Sequence, residues 1–269
     1  MEPIGIDEQL ETQDKDPYWV EALSQGLAVL KAFDGKQSGM TLTEIAQVLG
    51  WRRAKPYRYV HTLEKMGYLT REDNGKRYRP TSMTMALGYA YLSGLSLLEH
   101  AQPVLNQLKT RLNASVHMGI LERGEVVYIA SSRVSVVPTV DIHVGSRVPP
   151  FATSIGRMLL AYLDADRIDE LIGRAPLPAI TARSITDPQV FRQMLHNANV
   201  QGYVCTDQEF HAGVRSIAAP VFDRWGKVVA AINATSIVQT FTDEYIESTV
   251  IAAVQSAAKE ISMSLGHSS

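Results

Sequence analysis

The chain has one cysteine, Cys205, in 269 residues. That count excludes a disulfide framework and a thiolate metal cluster, and a lone thiol is the usage expected in a reducing cytoplasm. Long apolar runs are also missing. Those present, such as Val228 to Ile232, have the length of a strand and are too short to span a bilayer. The opening Met1-Glu2-Pro3 leads into acid and not into a basic, then apolar, leader, so a cytoplasmic chain with no membrane partner is expected. No phosphate-cradling glycine motif of the Walker or dinucleotide type occurs. The seven histidines fall at 61, 100, 117, 143, 196, 211 and 267, with no close pair at ligand spacing, so neither a metal nor a cofactor is expected. An excess of one charge is lacking as well. Lys plus Arg number 26 and Asp plus Glu 28, a formal net charge of −2 that at face value argues against a polyanionic partner.

The distribution of charge along the chain points the other way. Residues 1–21 carry seven acidic residues and one basic residue, with almost no apolar periodicity, and read as a disordered acidic arm. Between Trp51 and Pro80 the balance reverses, with nine basic and three acidic residues giving a local +6. The basic cluster coincides with a recognisable local fold. Leu23, Leu27, Leu30 and Phe33 form a helical stripe that stops before Gly35, and Thr41-Leu-Thr-Glu44 is a capping box opening a second helix that Gly50 ends. A third helix, with Tyr59, Val60, Leu63 and Met66 on one face and Pro56 near its start, is predicted to begin around Arg53 to Lys55. Strand-like runs at Tyr68 to Arg71 and Arg77 to Arg79 then flank Asn74-Gly75, the strongest short hairpin signal.

Three helices and a hairpin give a winged helix-turn-helix over residues 22–81. In that motif the second helix of the pair enters the major groove with its N-terminal residues at base edges, while neighbouring groups hold phosphates. Arg52, Arg53, Lys55, Tyr57 and Arg58 occupy that end. Arg53, Lys55 and Arg58 are read as base contacts, and Thr41, Tyr57, Lys76 and Arg77 as phosphate contacts. The partner is then double-stranded operator DNA.

Helices at Met83 to Ser93 and Leu97 to Leu112 follow, the first assigned to a linker over residues 82–95. Residues 96–269 alternate hairpins and helices: strands at Val116 to Leu121, Val126 to Ala130, Thr139 to Val144, Tyr203 to Asp207, Ser216 to Phe222 and Val228 to Thr235. The helices are Ser154 to Leu163, Asp166 to Gly173, Asp187 to Val200 and Asp243 to Leu265. The fold class is therefore α+β, a winged helix-turn-helix joined by a helical linker to a mixed α/β sensory domain.

Several motifs resemble the IclR-type bacterial transcriptional regulators. They include Gly26-Leu-Ala-Val-Leu30, Thr41-Leu-Thr-Glu-Ile-Ala46, His61-Thr-Leu-Glu-Lys-Met-Gly-Tyr-Leu69, Val144 to Arg157, Thr186-Asp-Pro188, Asp207-Gln-Glu209 and Gly213-Val-Arg-Ser-Ile-Ala218. The resemblance covers nearly everything after the acidic arm. It implies a GAF-like effector domain, assembly as homodimers or dimers of dimers, and RNA polymerase as a partner if the protein activates. Tyr91-Leu-Ser93, Ala101-Gln-Pro103, Gly145-Ser-Arg147 and Asp207-Gln-Glu209 are similar to the branch regulating aromatic-acid catabolism, which implies a small aromatic carboxylate as effector. A small aliphatic acid of the glyoxylate or pyruvate kind is the alternative. The recognition helix departs from the family, with Trp51-Arg-Arg-Ala-Lys-Pro56 in place of small and hydroxyl residues.

The resemblance places effector contacts at Ser154, Ile155, Thr206, Asp207, Ser216, Asn233 and Thr235. The residues themselves add that Thr153 and Ser154 stand where a loop runs into a helix, whose amides suit a carboxylate. Asn233 and Thr235, two apart in a strand, share one face. Met118, Phe151, Phe210 and His117 are available as walls, and Arg133 and His143 as speculative polar partners. Ala152-Thr-Ser-Ile-Gly156 is also a loose nucleophile-elbow motif, with Asp207 and His211 in hydrolase order. Two prolines in Val148-Pro-Pro-Phe151, where a buried strand should run, argue against a serine hydrolase using Ser154. No enzyme is expected.

Overall fold

The structure, a computed structural model, describes residues 17–33, 39–72, 75–92, 96–134, 142–173 and 175–268. Residues 1–16 of the acidic arm, Asp73 and Asn74 of the expected hairpin turn, 93–95 at the end of the expected linker and 139–141 of an expected strand lie outside these. The chain divides into two compact units, the first ending at Tyr91 and the second starting at Leu92.

The first unit opens with α1 (Glu21–Lys31). Its buried residues are Gln25 and Val29, whereas Leu23 and Leu27 are 63% and 47% exposed. The expected stripe holds in its second half, where Leu30 packs against the core and Phe33, just past the helix, is buried, while Gln25 and Val29 take the places expected for Leu23 and Leu27. Strand β1 (Met40–Thr41) leads into α2 (Leu42–Val48), capped reciprocally as the sequence indicated: Glu44 N–H donates to Thr41 Oγ1 at 3.2 Å and Thr41 N–H to the Glu44 carboxylate at 2.7 Å. Helix α3 (Pro56–Lys65) starts at Pro56 and not at Arg53 to Lys55, which instead form a turn closed by Lys55 N–H to the Arg52 carbonyl at 2.9 Å. The ring presets φ at the first helical position, and its missing donor costs nothing there. Strands β2 (Leu69–Arg71) and β3 (Arg77–Pro80) form the wing, in an antiparallel sheet of order β1-β3-β2. Gly39 permits that sheet, since its φ is +67° and a Cβ there would stand 2.7 Å from the Tyr78 carbonyl oxygen. Val29, Phe33, Met40, Ile45, Val60, Leu63, Leu69 and Tyr78 make the core, and α4 (Met83–Leu92) follows.

The second unit is a six-stranded antiparallel sheet of order β6-β5-β4-β9-β8-β7, with helices on both faces. Its strands are β4 (Ser115–Glu122), β5 (Glu125–Ser132), β6 (Arg147–Val148), β7 (Val204–Asp207), β8 (Val214–Phe222) and β9 (Val228–Ile237). Residues 142–144, the described part of the strand expected over Thr139 to Val144, form loop and turn, because Ser146 N–H returns to the His143 carbonyl at 3.0 Å. Helix α5 (Ser96–Leu112) and the C-terminal helix cover one face. That last helix begins as a single turn (Asp243–Tyr245), passes through a π turn (Ile246–Val250) and continues as Ile251–Ser264. The other face carries α6 (Ser154–Leu160) and α8 (Pro188–Gln201), with α7 (Ala165–Ile172) between them in sequence.

The period of two along a strand sorts side chains between these faces. Val116, Met118, Ile217, Ala219, Ile232 and Ala234 pack under α5 and the C-terminal helix. Their neighbours His117, Gly119, Ser216, Ala218, Ala231, Asn233 and Thr235 therefore face α6. At the α6 end Gly156 lets the helix rest directly on the preceding loop, where a Cβ would meet Pro150 backbone atoms at 2.2–2.7 Å.

Candidate nucleic-acid interface and ligand pocket

Helix α3 buries Pro56, Val60 and Leu63 and turns the rest outward. Arg52, Arg53, Lys55, Tyr57 and Arg58 are all exposed at its start, and Lys76 is exposed on the wing. Aromatic contacts fix part of this surface: Lys55 Nζ sits 4.6 Å from the Trp51 ring centroid, and the Tyr57 ring stacks on His61 at 6.1 Å. Two of the expected phosphate contacts have work inside the fold. Arg77 donates to the Gly39 carbonyl at 2.9 Å and pairs with Glu44 at 3.2 Å, tying the wing to the start of α2. Thr41 Oγ1 accepts the Glu44 amide in the cap.

In the second unit a cavity is lined by His117, Tyr128, Ile142, Thr153, Ser154, Thr206, Phe210, His211, Val214, Ser216, Asn233 and Thr235. About 500 Å³ of space between atoms lies in it, the open solvent at its mouth included. Six of the residues expected at an effector site come together here: Thr153, Ser154, Thr206, Ser216, Asn233 and Thr235. Phe210 and His117, read as available walls, line it too.

The floor is one hydrogen-bonded network. Asn233 Nδ2 lies 2.9 Å from Ser216 Oγ, 3.1 Å from Thr235 Oγ1 and 3.3 Å from Ser154 Oγ. Ser216 Oγ in turn lies 2.7 Å from Ser154 Oγ and 2.9 Å from Thr235 Oγ1. Three hydroxyl hydrogens serving two hydroxyl contacts leave one hydrogen to donate elsewhere. On the other side of the amide, Asn233 Oδ1 accepts the His117 backbone N–H at 3.2 Å and meets His117 Nδ1 at 3.2 Å. Burial pushes the His117 imidazole down to about 4, aided by the Arg133 charge and opposed by the bond to Asn233, so the ring is neutral at pH 7. Burial likewise lifts the Tyr128 phenol to about 12, and its ring packs edge-on to His117 at 5.7 Å.

Other expected residues do not line the cavity. Ile155 is fully buried in the core beneath α6. Met118 belongs to the opposite face by strand parity and packs under α5. Asp207 is turned to arginines: its carboxylate accepts Arg215 Nε at 2.8 Å and pairs with Arg183, and the Arg215 bond holds it below the usual carboxylate range. Arg133 and His143 are not among the described lining residues. The α6 terminus is less open than expected, because Thr153 takes the Gly156 amide on its side chain and the Arg157 amide on its carbonyl. Ser154 Oγ contacts Ser216 and Asn233 and no histidine, while His211 Nδ1 lies 2.8 Å from the Ala212 carbonyl, so the hydrolase constellation does not assemble.

The sequence reading missed the clamp that holds the pocket's rim. Arg157 is 2% exposed and meets Glu209 through two parallel bonds of 2.9 and 2.7 Å, with Nε donating to the Phe151 carbonyl at 2.9 Å. Thr181 and Ser184 hydroxyls hold the Gln208 and Glu209 carbonyls from the other side. Phe210 and His211 are thereby carried to the cavity. The signal was in the motifs, as both residues lie inside quoted segments, but nothing local pairs positions 52 apart.

A basic winged helix and a cavity with a polar floor, each in its own compact unit of one chain, define a helix-turn-helix transcriptional regulator, which works by binding DNA. Residues 22–73 match the IclR helix-turn-helix domain, and residues 89–263 match the bacterial transcriptional regulator IclR C-terminal family. The chain belongs to the IclR family of transcriptional regulators. It is 36% identical over 247 residues to the Pca regulon regulatory protein of Pseudomonas putida, covering 91% of this chain and 84% of that one. It is 31% identical over 247 residues to the Pca operon regulatory protein of Acinetobacter baylyi, covering 90% and 88%. An IclR homolog from Microbacterium hydrocarbonoxydans, solved in complex with 4-hydroxybenzoate, superposes with a TM-score of 0.77 at 26% identity, covering 91% of this chain and 98% of that one. These relatives are regulators and not enzymes. Among the described residues, no helix is long and apolar enough to cross a membrane, and no group of three or more His, Cys, Asp or Glu is placed to hold a metal.

Proposed function

We propose that this regulator controls an aromatic-acid degradation operon, with a small aromatic carboxylate as effector in the cavity over Asn233. The observation that carries the reading is the cavity's division of labour. Asn233, Ser154, Ser216 and Thr235 supply a floor of hydrogen-bonding groups, while Tyr128, Ile142, Phe210 and Val214 supply ring and aliphatic walls suited to a planar acid. The regulators of Pca genes among its relatives, and the neighbour holding 4-hydroxybenzoate, support the same choice. Thr153 and Thr206 complete the polar rim.

Operator reading falls to Arg52, Arg53, Lys55, Tyr57 and Arg58 at the start of α3, with Lys76 on the wing holding phosphate. The protein acts as a homodimer. Supporting this, α1 leaves Leu23 and Leu27 uncovered and α4 leaves Met85, Leu87 and Tyr89 uncovered, apolar side chains of the kind an interface covers. The effector acts through a difference in its affinity for the DNA-competent and incompetent states. The test is calorimetric titration of the full-length protein with a panel of benzoates and, beside it, pyruvate and glyoxylate. Saturable binding of a benzoate at one site per chain is expected; binding of the aliphatic acids alone would overturn the reading.

A further inference from the structure

The pairing between His117 and Asn233 settles more than the shape of the cavity floor. A backbone N–H only donates, so the contact from His117 N fixes which end of the Asn233 amide is oxygen. That oxygen has no proton to give. His117 Nδ1, 3.2 Å from it, must therefore carry the ring proton. In a neutral imidazole the other nitrogen, Nε2, is then a bare lone-pair acceptor. Among the described residues Nε2 has no hydrogen-bond partner, and it is not one of the sealed polar atoms left without one. The ring lines the cavity, so this acceptor opens onto it. Tyr128, edge-on at 5.7 Å, keeps the ring from turning away.

An acceptor that stays unprotonated repels a carboxylate oxygen and calls for a donor. The floor hydroxyls, which line the same cavity, have a hydrogen to give. A phenolic hydroxyl matches both at once, donating to nitrogen and accepting from a serine or threonine.

We propose that His117 is the residue by which the cavity distinguishes hydroxylated aromatic acids from unsubstituted ones, its Nε2 accepting a hydrogen bond from a ring hydroxyl. This rests on reading the cavity as an aromatic-acid site. A site built to bond a substrate hydroxyl discriminates strongly against the analogue lacking it, because the buried acceptor is then left dry.

The test uses the full chain and matched ligands: 3- and 4-hydroxybenzoate against 3- and 4-fluorobenzoate, with fluorine filling the space of the hydroxyl but donating nothing. Binding is measured by calorimetry in the wild type and in His117→Phe and His117→Gln. At one ring position the wild type should bind the hydroxy acid at least about tenfold tighter than its fluoro partner. His117→Phe should bring the hydroxy acid down to the level at which the same variant binds its fluoro partner. His117→Gln, which restores a carbonyl acceptor, should keep part of the preference. Equal wild-type affinities within both pairs, or an undiminished preference in His117→Phe, would overturn the assignment while leaving the cavity an aromatic-acid site. Should His117→Phe fail to fold, His117→Gln beside the wild type decides, an undiminished preference in a His117→Ala variant overturning the assignment. Failure of every benzoate to bind the wild type would remove the cavity reading, and this assignment with it.

Discussion

His117 gives Asn233 two bonds to one oxygen, the backbone N–H and ring Nδ1 both lying 3.2 Å from Asn233 Oδ1. Strands β4 and β9 are joined here by side chain as well as by ladder, since residues 117 and 233 are register partners. The amide's nitrogen is thereby aimed at the three hydroxyls of the cavity floor. Removing the amide at Asn233 disorders the floor's polarity without touching the hydrophobic core on the sheet's far face.

The same pair makes stability depend on pH. Burial sets the folded His117 pKa at about 4, against 6.5 for an ordinary histidine. Between those values the unfolded chain holds a proton that the folded chain refuses, so this contribution is complete above about 6.5 and is lost as pH falls toward 4. At pH 5 the loss is on the order of 2 kcal/mol relative to pH 7.5. Urea denaturation at the two pH values should show that drop in the wild type and a smaller one in His117→Phe. An identical drop in both would mean that other groups set the pH dependence.

Arg157 and Glu209 form a buried ion pair, and removing one partner strands the other charge. Arg157→Ala or Glu209→Ala should each destabilise the protein by roughly 3–5 kcal/mol. Replacing both together with apolar residues of similar volume should cost much less than the two single changes summed. A fully additive double substitution would show that the pair is not coupled.

Gly156 lies against the Pro150 backbone, which has no flexible side chain to give way. Gly156→Ala should destabilise the fold by about 1–3 kcal/mol although alanine favours a helix. Thermal unfolding measures it. An unchanged or raised midpoint would mean that the loop before α6 can retreat.

On the DNA side, exposed and committed arginines should behave differently. Arg58→Ala should weaken operator binding by roughly 1–3 kcal/mol and leave folding intact. Arg77→Ala, which loses the ties to Glu44 and the Gly39 carbonyl, should also lower the melting temperature. Fluorescence anisotropy across a salt series should show affinity falling steeply with salt in the wild type. Affinity that ignores salt would contradict a phosphate-bound winged helix.

What the sequence made legible was local. The Thr41–Glu44 box and the paired Asn233 and Thr235 lie within a few residues, and periodicity or capping chemistry describes them. Long-range geometry was not legible. Strand β4 is buried on both faces, so Val116-His-Met-Gly carries no polar alternation to say that His117 and not Met118 meets the cavity. Asp207 looked like a ligand-binding acid because its arginine partners stand at 183 and 215, on other elements. In α1 only Leu23 and Leu27 misled, since Gln25 and Val29 are buried in their place while Leu30 and Phe33 reach the core as expected.

The near-neutral total charge likewise concealed a division. Residues 51–80 hold +6, while the acidic residues elsewhere offset it. The basic part is the exposed start of α3 and its wing.

The central claim is that an occupant of the cavity over Asn233 changes operator binding. It is tested most directly by measuring operator affinity of the wild type and of Asn233→Leu as a hydroxybenzoate is titrated in. A saturable change of at least about fivefold is expected in the wild type. None is expected in the variant, whose effector-free affinity should match. An equal response in Asn233→Leu, or none in the wild type at concentrations where calorimetry shows the cavity filled, would contradict it.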